Sequence, residues 1–89
     1  MRAIRQWRAD ILIGEDDGRT YAEARLVTET PNQLIGTGRA QLSPDDYDVP
    51  EIGDEVAVAR ALRDLSQRLL DTASGDISSA TMHDVHLVG

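Results

Sequence analysis

The segment from Leu34 to Leu42 has glycine or alanine at three successive alternate positions, and this pattern constrains the fold more strongly than any other. The small residues are Gly36, Gly38 and Ala40. Alternate side chains of a β-strand point to the same face of the sheet, so one face of this strand carries almost no side-chain volume. We therefore expect a bulky element to lie directly across it.

Two alternating runs precede this strand and predict a β-hairpin. They cover Trp7 to Ile13 and Thr20 to Thr28, and an acidic turn with an Asp17-Gly18 step separates them. An Asp-Gly step readily supplies the positive φ that a tight hairpin turn requires. Together with the segment described above, the runs predict a three-stranded antiparallel meander.

The register of the first two strands follows from the residues that would face each other. With Ile13 opposite Ala22, large residues meet small ones on the predicted core face, and Asp10 lies opposite Arg25 on the other face. A shift of two residues would instead place Arg8 opposite Arg25, so we predict the first register. The residues of the first run assigned to the core face are Trp7, Ala9, Ile11 and Ile13.

A long amphipathic helix is predicted to follow a crossover loop. Asp54 is a suitable N-cap and Glu55 suits the first turn. The helix is expected to run to about Ala73, because Ser74 and Gly75 are typical of a helix end. Residues expected to face the sheet recur at helical spacing. They are Val58, Ala61, Leu62, Leu65, Leu69 and Thr72.

These elements predict one α+β domain, in which a three-stranded antiparallel meander packs under one long helix in the order β-β-β-α. The 89 residues allow a single core. Residues 1–6 would form an N-terminal arm and residues 74–89 a short C-terminal extension. Within this extension we expect a helical turn or a loop over 76–80 and a terminal strand over 81–88.

Composition excludes several classes of function. Nine basic residues, all Arg, stand against 16 acidic residues, and the formal net charge of -7 argues against a surface that binds polyanions throughout. The absence of Cys excludes disulfides, thiolate metal sites and cysteine catalysis. No run of residues has the length of a signal peptide core or a membrane span. We therefore expect a cytoplasmic protein with no membrane partner.

Three small motifs could carry chemistry, but each has a simpler interpretation. Gly36-Thr37-Gly38 lacks the third glycine and the following helix of a dinucleotide-binding fingerprint, which favours a packing role. His83 and His86 could ligate zinc on a helix, but on a strand they would point to opposite faces, and no third ligand is evident. The acidic residues between Asp45 and Glu55 do not have the spacing of an EF-hand loop. We predict no catalytic residue, no cofactor, no metal site and no small-molecule substrate.

The face of the sheet away from the helix is the predicted binding surface. One arginine from each strand could form a basic stripe on it, and four apolar residues on the same face indicate an interface. The arginines are Arg8, Arg25 and Arg39, and the apolar residues are Leu12, Tyr21, Val27 and Ile35. Because Asp10 and Glu23 lie among them, the arginines could instead form ion pairs.

Several segments also carry a resemblance to a known family. They are Trp7 to Ile13, Ala22 to Leu26, Gly36 to Ala40, Val49 to Glu55 and Ala59 to Leu62. From about Trp7 to His83 the chain resembles an actinobacterial family of small proteins described as having a double-stranded-RNA-binding-domain-like fold. The resemblance implies dimers, relatives associated with hypoxia and dormancy, and a shape like that of ribosome hibernation-promoting factors. It implies no catalytic residues.

We therefore predict a non-catalytic binding or regulatory protein, a homodimer made under stress that works through the outer sheet face. The alternative is a hibernation-type factor that associates with ribosomes or RNA through Arg8, Arg25 and Arg39. The net charge of -7 disfavours this alternative. So does the lack of an N-terminal helix of the kind that reaches the RNA minor groove.

Overall fold

A computed structural model describes the backbone of residues 3–30, 33–41 and 50–88, and the side chains of residues 3–30, 33–41 and 51–80. Three strands precede one helix: β1 (Arg8–Asp16), β2 (Arg19–Val27), β3 (Leu34–Gln41) and α1 (Pro50–Val88). The strands form one antiparallel sheet in the order β1-β2-β3. The predicted α+β meander under one long helix is confirmed.

The hairpin between β1 and β2 has the predicted register. Ile13 lies opposite Ala22, and Asp10 lies opposite Arg25. The turn consists of Asp17 and Gly18 alone, with φ values of 52° and 73°, which is the conformation that suits the twist of a two-residue hairpin. Because the turn needs only these two residues, β1 extends to Asp16, beyond the predicted strand end at Ile13.

The core lies between α1 and the inner faces of β2 and β3, and small residues dominate it. A side chain at Gly36 would overlap the backbone of Ala61 and Leu65, and one at Gly38 would overlap the backbone of Ala57 and Ala61. The helix backbone therefore rests almost directly on β3, as the alternating small residues predict. The buried hydrophobic residues are Ala22, Ala24, Ala40, Ala57, Ala61 and Leu65.

The predicted bounds of the helix are wrong at both ends. α1 begins at Pro50, ahead of the predicted cap Asp54, and proline suits a first helical position because the N–H it lacks would have no partner there. The helix continues through Ser74 and Gly75 to Val88, so the predicted terminal strand over 81–88 is wrong. Gly75 does not adopt the positive φ of a helix-terminating glycine.

The face of α1 that meets the sheet is narrower than predicted. Ala61 and Leu65 are buried as expected, and Ala57, which the prediction missed, continues the same line one turn earlier. Leu62 is 43% exposed, because the close approach of the alanine line to β3 leaves the next helical position at the side of the contact. Of the other predicted residues, Val58 and Leu69 are half-buried and Thr72 is exposed.

Candidate interaction surface

The free edge of β3 is closed by two side chains of α1. The Thr37 N–H donates a hydrogen bond to Asp64 Oδ2 over 2.8 Å, and Arg60 Nη1 donates one to the Arg39 carbonyl oxygen over 2.6 Å. Both backbone groups lie on the edge where a fourth strand would pair. An edge whose backbone groups are already bonded is a poor template for another strand.

Asp64 is the centre of this closure. Its carboxylate also accepts a hydrogen bond from Arg68 Nε over 3.1 Å. The bond from the Thr37 N–H, followed by the bond from Arg68, holds the pKa of Asp64 below its usual value. The ionised carboxylate therefore joins the helix to the edge strand.

β1 is exposed along its whole length, in contrast to β2 and β3. Ile11 and Ile13 lie opposite Ala24 and Ala22, which are buried beneath α1, so both isoleucines lie on the helix side of the sheet. They are nevertheless 37% and 47% exposed. α1 packs on β3 and β2 and hardly touches β1.

The predicted burial of Trp7, Ala9, Ile11 and Ile13 in the core is therefore wrong, because all four are exposed. A helix about 10 Å across covers roughly two strands that lie about 4.8 Å apart, and the small residues on β2 and β3 fix which two. Trp7, just before β1, is 52% exposed, and Leu12 on the opposite face is 51% exposed. We use the term β1 surface for Trp7, Ile11, Leu12 and Ile13 together with the free edge of β1.

The backbone of β1 also presents unpaired groups. A two-residue turn makes Asp16 and Arg19 a hydrogen-bonded pair, and such pairs then recur at every second residue along the ladder. The N–H and C=O groups of the intervening residues point away from β2. These residues are Ala9, Ile11, Ile13 and Glu15. Among the described residues, no side chain bonds to them in the way that Arg60 and Asp64 bond to β3.

The seven residues of the predicted binding surface do share one face. They alternate with the buried residues of β2 and β3, so all of them lie on the side away from α1, which we term the outer face. β1 contributes Arg8 and Leu12, β2 contributes Tyr21, Arg25 and Val27, and β3 contributes Ile35 and Arg39.

The arginines of the outer face are engaged with their neighbours. Arg8 Nε lies 3.1 Å from Asp10 Oδ1, and Arg25 Nη2 lies 2.9 Å from Glu23 Oε2. The guanidinium carbon of Arg39 lies 5.8 Å from the centre of the Tyr21 ring, within the range of a cation–π contact. The ion-pair interpretation therefore holds for Arg8 and Arg25.

The centre of the outer face is polar. Glu23 accepts two hydrogen bonds from Arg25 and one from the Tyr21 hydroxyl over 3.0 Å. The bonds from Arg25, then that from Tyr21, lower the pKa of Glu23, and the bond to Glu23 raises the pKa of Tyr21. The register places each of three apolar residues opposite a charged one: Leu12 opposite Glu23, Ile35 opposite Arg25, and Val27 opposite Arg8. No two of the four apolar residues lie directly opposite each other.

The other sequence motifs form no further site among the residues that the structure describes. Gly36-Thr37-Gly38 lies within β3 directly beneath α1, which confirms its packing role. The backbone of His83 and His86 belongs to α1, so their expected place on a strand is wrong, and their side chains lie outside the described residues. Asp45, Asp46 and Asp48 also lie outside the described residues. Over the part of the chain that is described, no group of three or more possible metal ligands occurs. No described helix is both long and apolar enough to span a membrane.

Comparisons with known proteins place this architecture in a family. Residues 5–86 match the model of the Rv2632c-like family. This chain belongs to the Rv2632c-like family. It is 45% identical over 85 residues to "Uncharacterized protein MT1780" of Mycobacterium tuberculosis (strain CDC 1551 / Oshkosh), covering 96% of this chain and 89% of the relative. It is 47% identical over 76 residues to "Uncharacterized protein Rv2632c" of M. tuberculosis (strain ATCC 25618 / H37Rv), covering 85% and 81%.

A solved structure supports the fold of this Rv2632c-like chain. The structure described as "Crystal Structure of Rv2632c" superposes with a TM-score of 0.82 at 44% identity, covering 90% of this chain and 94% of the other. The predicted membership of a mycobacterial, and hence actinobacterial, family is confirmed. The names of these relatives include no enzyme activity. The likeness to double-stranded-RNA-binding domains and the link to dormancy stay predictions.

Proposed function

We propose that this Rv2632c-like protein is a non-catalytic cytoplasmic binding protein that acts as a homodimer and makes its contacts through the β1 surface. One observation carries the proposal. Four large apolar side chains around β1 are exposed on both faces of the sheet, beside a strand edge with outward-directed backbone groups. Soluble monomers seldom expose such a group of apolar side chains to water. A surface of this kind supports binding to protein.

The proposed binding site lies at the β1 side of the outer face rather than across all three strands. Two of the predicted residues, Arg8 and Leu12, belong to β1 and remain in the site. The centre of the outer face offers less to a partner, because Arg25 and Glu23 already satisfy each other. Displacing that ion pair would cost the hydrogen bonds that the two groups now make.

The non-catalytic part of the proposal is supported by the titratable groups. Functional sites commonly contain groups with strongly perturbed pKa values in a cleft. Among the described residues, the shifted groups are Tyr21, Glu23 and Asp64, and ordinary hydrogen bonds within the sheet and to the helix account for all three. They need no reaction to explain them.

The physiological part of the proposal is a role under stress or in dormancy, which the family resemblance implies. The expected result is a rise in protein abundance when cultures of the source organism become oxygen-limited or stationary. Quantitative immunoblotting against a constant cytoplasmic standard measures this rise. Equal abundance in growing and arrested cells would contradict the stress role and leave the binding role standing.

Sedimentation equilibrium tests the homodimer directly. The full chain at micromolar concentration should give a mass near twice the 9.7 kDa of one chain and should dissociate on dilution. A mass of one chain at every concentration would overturn the homodimer. Ile35→Lys, on the outer face of β3, is a matched variant that should sediment with the same dimer mass as the wild type, because Ile35 lies outside the β1 surface.

A second candidate function is association with RNA or ribosomes through the outer face. Arg39 over the Tyr21 ring favours it, because an exposed cation beside an aromatic ring resembles the surfaces on which single-stranded bases stack. Co-sedimentation with ribosomes at low and moderate salt tests this candidate. Arg39→Ala should reduce the pelleted fraction, and Arg63→Ala on the exposed face of α1 should not. Absence from both pellets would end it.

A further inference from the structure

We propose that β1 of one copy pairs in antiparallel fashion with β1 of a second copy, so that the homodimer contains one continuous six-stranded sheet. The inference rests on the homodimer of the proposed function and specifies how its two copies meet. It follows from the contrast between the edges of the sheet: Asp64 and Arg60 bond to the edge of β3, whereas the edge of β1 has only outward-directed backbone groups.

The backbone of β1 limits how two copies can pair. Residues whose N–H and C=O groups point outward must lie opposite outward-pointing residues of the second strand. In β1 these are the odd-numbered residues from Ala9 to Glu15. A two-fold pairing is therefore centred on one residue of β1, and the three registers with the longest overlap are centred on Ile11, Leu12 and Ile13.

The register centred on Leu12 has the longest overlap, from Arg8 to Asp16, and brings complementary residues together at its centre and at both ends. The intervening pairs would be Ala9 with Glu15 and Asp10 with Gly14 of the second copy. Leu12 would lie opposite Leu12 of the second copy, and Ile11 opposite Ile13 of the second copy. Arg8 would lie opposite Asp16 of the second copy, at both ends of the interface by symmetry. Apolar residues meet apolar residues and opposite charges meet, and such cross-strand pairs stabilise antiparallel sheets.

The other two registers lose this complementarity. Centred on Ile13, the pairing would place Asp10 opposite Asp16 of the second copy and Ile11 opposite Glu15 of the second copy. Centred on Ile11, it would place Asp10 opposite Leu12 of the second copy and leave Arg8 opposite a glycine. Like charges opposite each other destabilise a strand pair, and only the register centred on Leu12 pairs Arg8 with an acidic residue. The sequence of β1 therefore favours this register.

The same register would extend the helix side of the sheet. Ile11 and Ile13 of both copies would form a row of four isoleucines between the two α1 helices. Leu62 lies on the flank of α1 opposite Arg60, the flank nearer to β1, and is exposed in a single chain. Two helices on either side of the isoleucine row would thus shield apolar residues that one helix leaves in water.

The first test places a charge at the proposed two-fold axis. Leu12→Lys would put two ammonium groups opposite each other, and we expect the dimer dissociation constant to rise at least about tenfold. Because Leu12 is half exposed in one chain, the melting temperature of the Leu12→Lys variant at concentrations that favour the monomer should stay close to that of the wild type. Ile35→Lys, the same change on the other edge strand, is the control and should leave the dissociation constant unchanged.

The second test examines the register by charge exchange. Arg8→Asp and Asp16→Arg should each weaken the dimer, since each places like charges opposite each other. The double variant should dimerise more tightly than either single variant, although it contains the internal defects of both. Sedimentation equilibrium of all four proteins in low salt measures this coupling.

The outcomes separate this inference from the proposed function. A wild-type protein that is monomeric at every concentration overturns the homodimer and this pairing together. A wild-type dimer that Leu12→Lys does not weaken, or one that the double charge exchange does not restore, overturns the pairing and leaves the homodimer intact. Weakening by Leu12→Lys with restoration by the charge exchange supports the pairing and its register.

Discussion

The two edge strands of the sheet, β1 and β3, differ greatly in their contact with the helix α1. α1 rests on β3 and bonds to its free edge, whereas β1 has isoleucines in water on the same side of the sheet. Residue size explains the difference. β3 has glycine and alanine facing α1, and β1 has Ile11 and Ile13, so the helix backbone can approach only the first. Helix position is therefore set by the smallest side chains of the sheet.

The largest expected effect comes from adding volume under the helix. Gly38→Val should prevent folding or cost about 3 kcal/mol or more, because its side chain would overlap the backbone of Ala57 and Ala61. Circular dichroism during thermal and urea unfolding measures the loss. Gly14→Val on β1 is the matched control, since no atom lies within 4 Å of a Cβ there. An equal loss in both variants would break the contrast between the strands.

Removal of the largest buried side chain should have the next largest effect. Leu65 is buried against the sheet, and Leu65→Ala should lower the free energy of unfolding by about 2 to 5 kcal/mol through the cavity it leaves. Leu62→Ala, one turn earlier on the exposed flank, should cost less than about 1 kcal/mol. Urea unfolding of both variants provides the comparison. A greater loss of stability in Leu62→Ala than in Leu65→Ala would show that the contact face of α1 is assigned incorrectly.

Opening the closed edge should make β3 resemble β1. Asp64→Ala removes the acceptor of the Thr37 N–H, and we expect that amide to exchange faster with solvent and the melting temperature to fall less than in Leu65→Ala. Hydrogen exchange followed by NMR measures the amide. Asp71→Ala is the control, because Asp71 accepts its hydrogen bond from Gln67 within the same helix. Equal exchange rates of the Thr37 amide in the two variants would contradict the proposal that Asp64 closes the edge of β3.

The smallest effect concerns pH. The pKa of Asp64 is lowered in the folded chain, chiefly by the Thr37 N–H, so its contribution to stability is present above its unfolded pKa of about 4 and is lost as the pH falls through the folded value. Glu23 should act in the same direction because its pKa is also lowered. Unfolding free energies measured from pH 5 downward should decrease. Asp64→Asn should flatten this decrease, and an unchanged slope would count against the edge closure.

Much of the fold follows from local patterns in the sequence. The Asp17-Gly18 turn and the large-to-small matching across it determine the register of β1 and β2, and the small residues of β3 locate the helix contact. These features can be predicted because each depends on neighbouring strands or on one face. The same small residues also predict that α1 does not cover β1. This prediction requires comparing the width of one helix with the width of three strands, because one helix covers only about two of them.

Other features depend on information that a single chain pattern lacks. Ser74 and Gly75 weaken a helix without stopping it, because a glycine ends a helix only where its backbone adopts a positive φ, which Gly75 does not. The pairing of Arg25 with Glu23 and the closure of β3 by Asp64 depend on side-chain conformations between elements. The prediction of an apolar patch on the outer face did not consider which residues the strand register places opposite its members, and these are charged.

The part of α1 beyond Leu69 has consequences for how the protein moves in solution. Every described side chain from 70 to 80 is exposed. The radius of gyration is 18.3 Å, and the longest dimension is 63 Å. A compact domain of this length would have a radius of about 12 Å. One copy must therefore tumble slowly and elute early from a gel-filtration column, where an elongated monomer imitates a globular dimer. Only mass measurements independent of shape can distinguish the two.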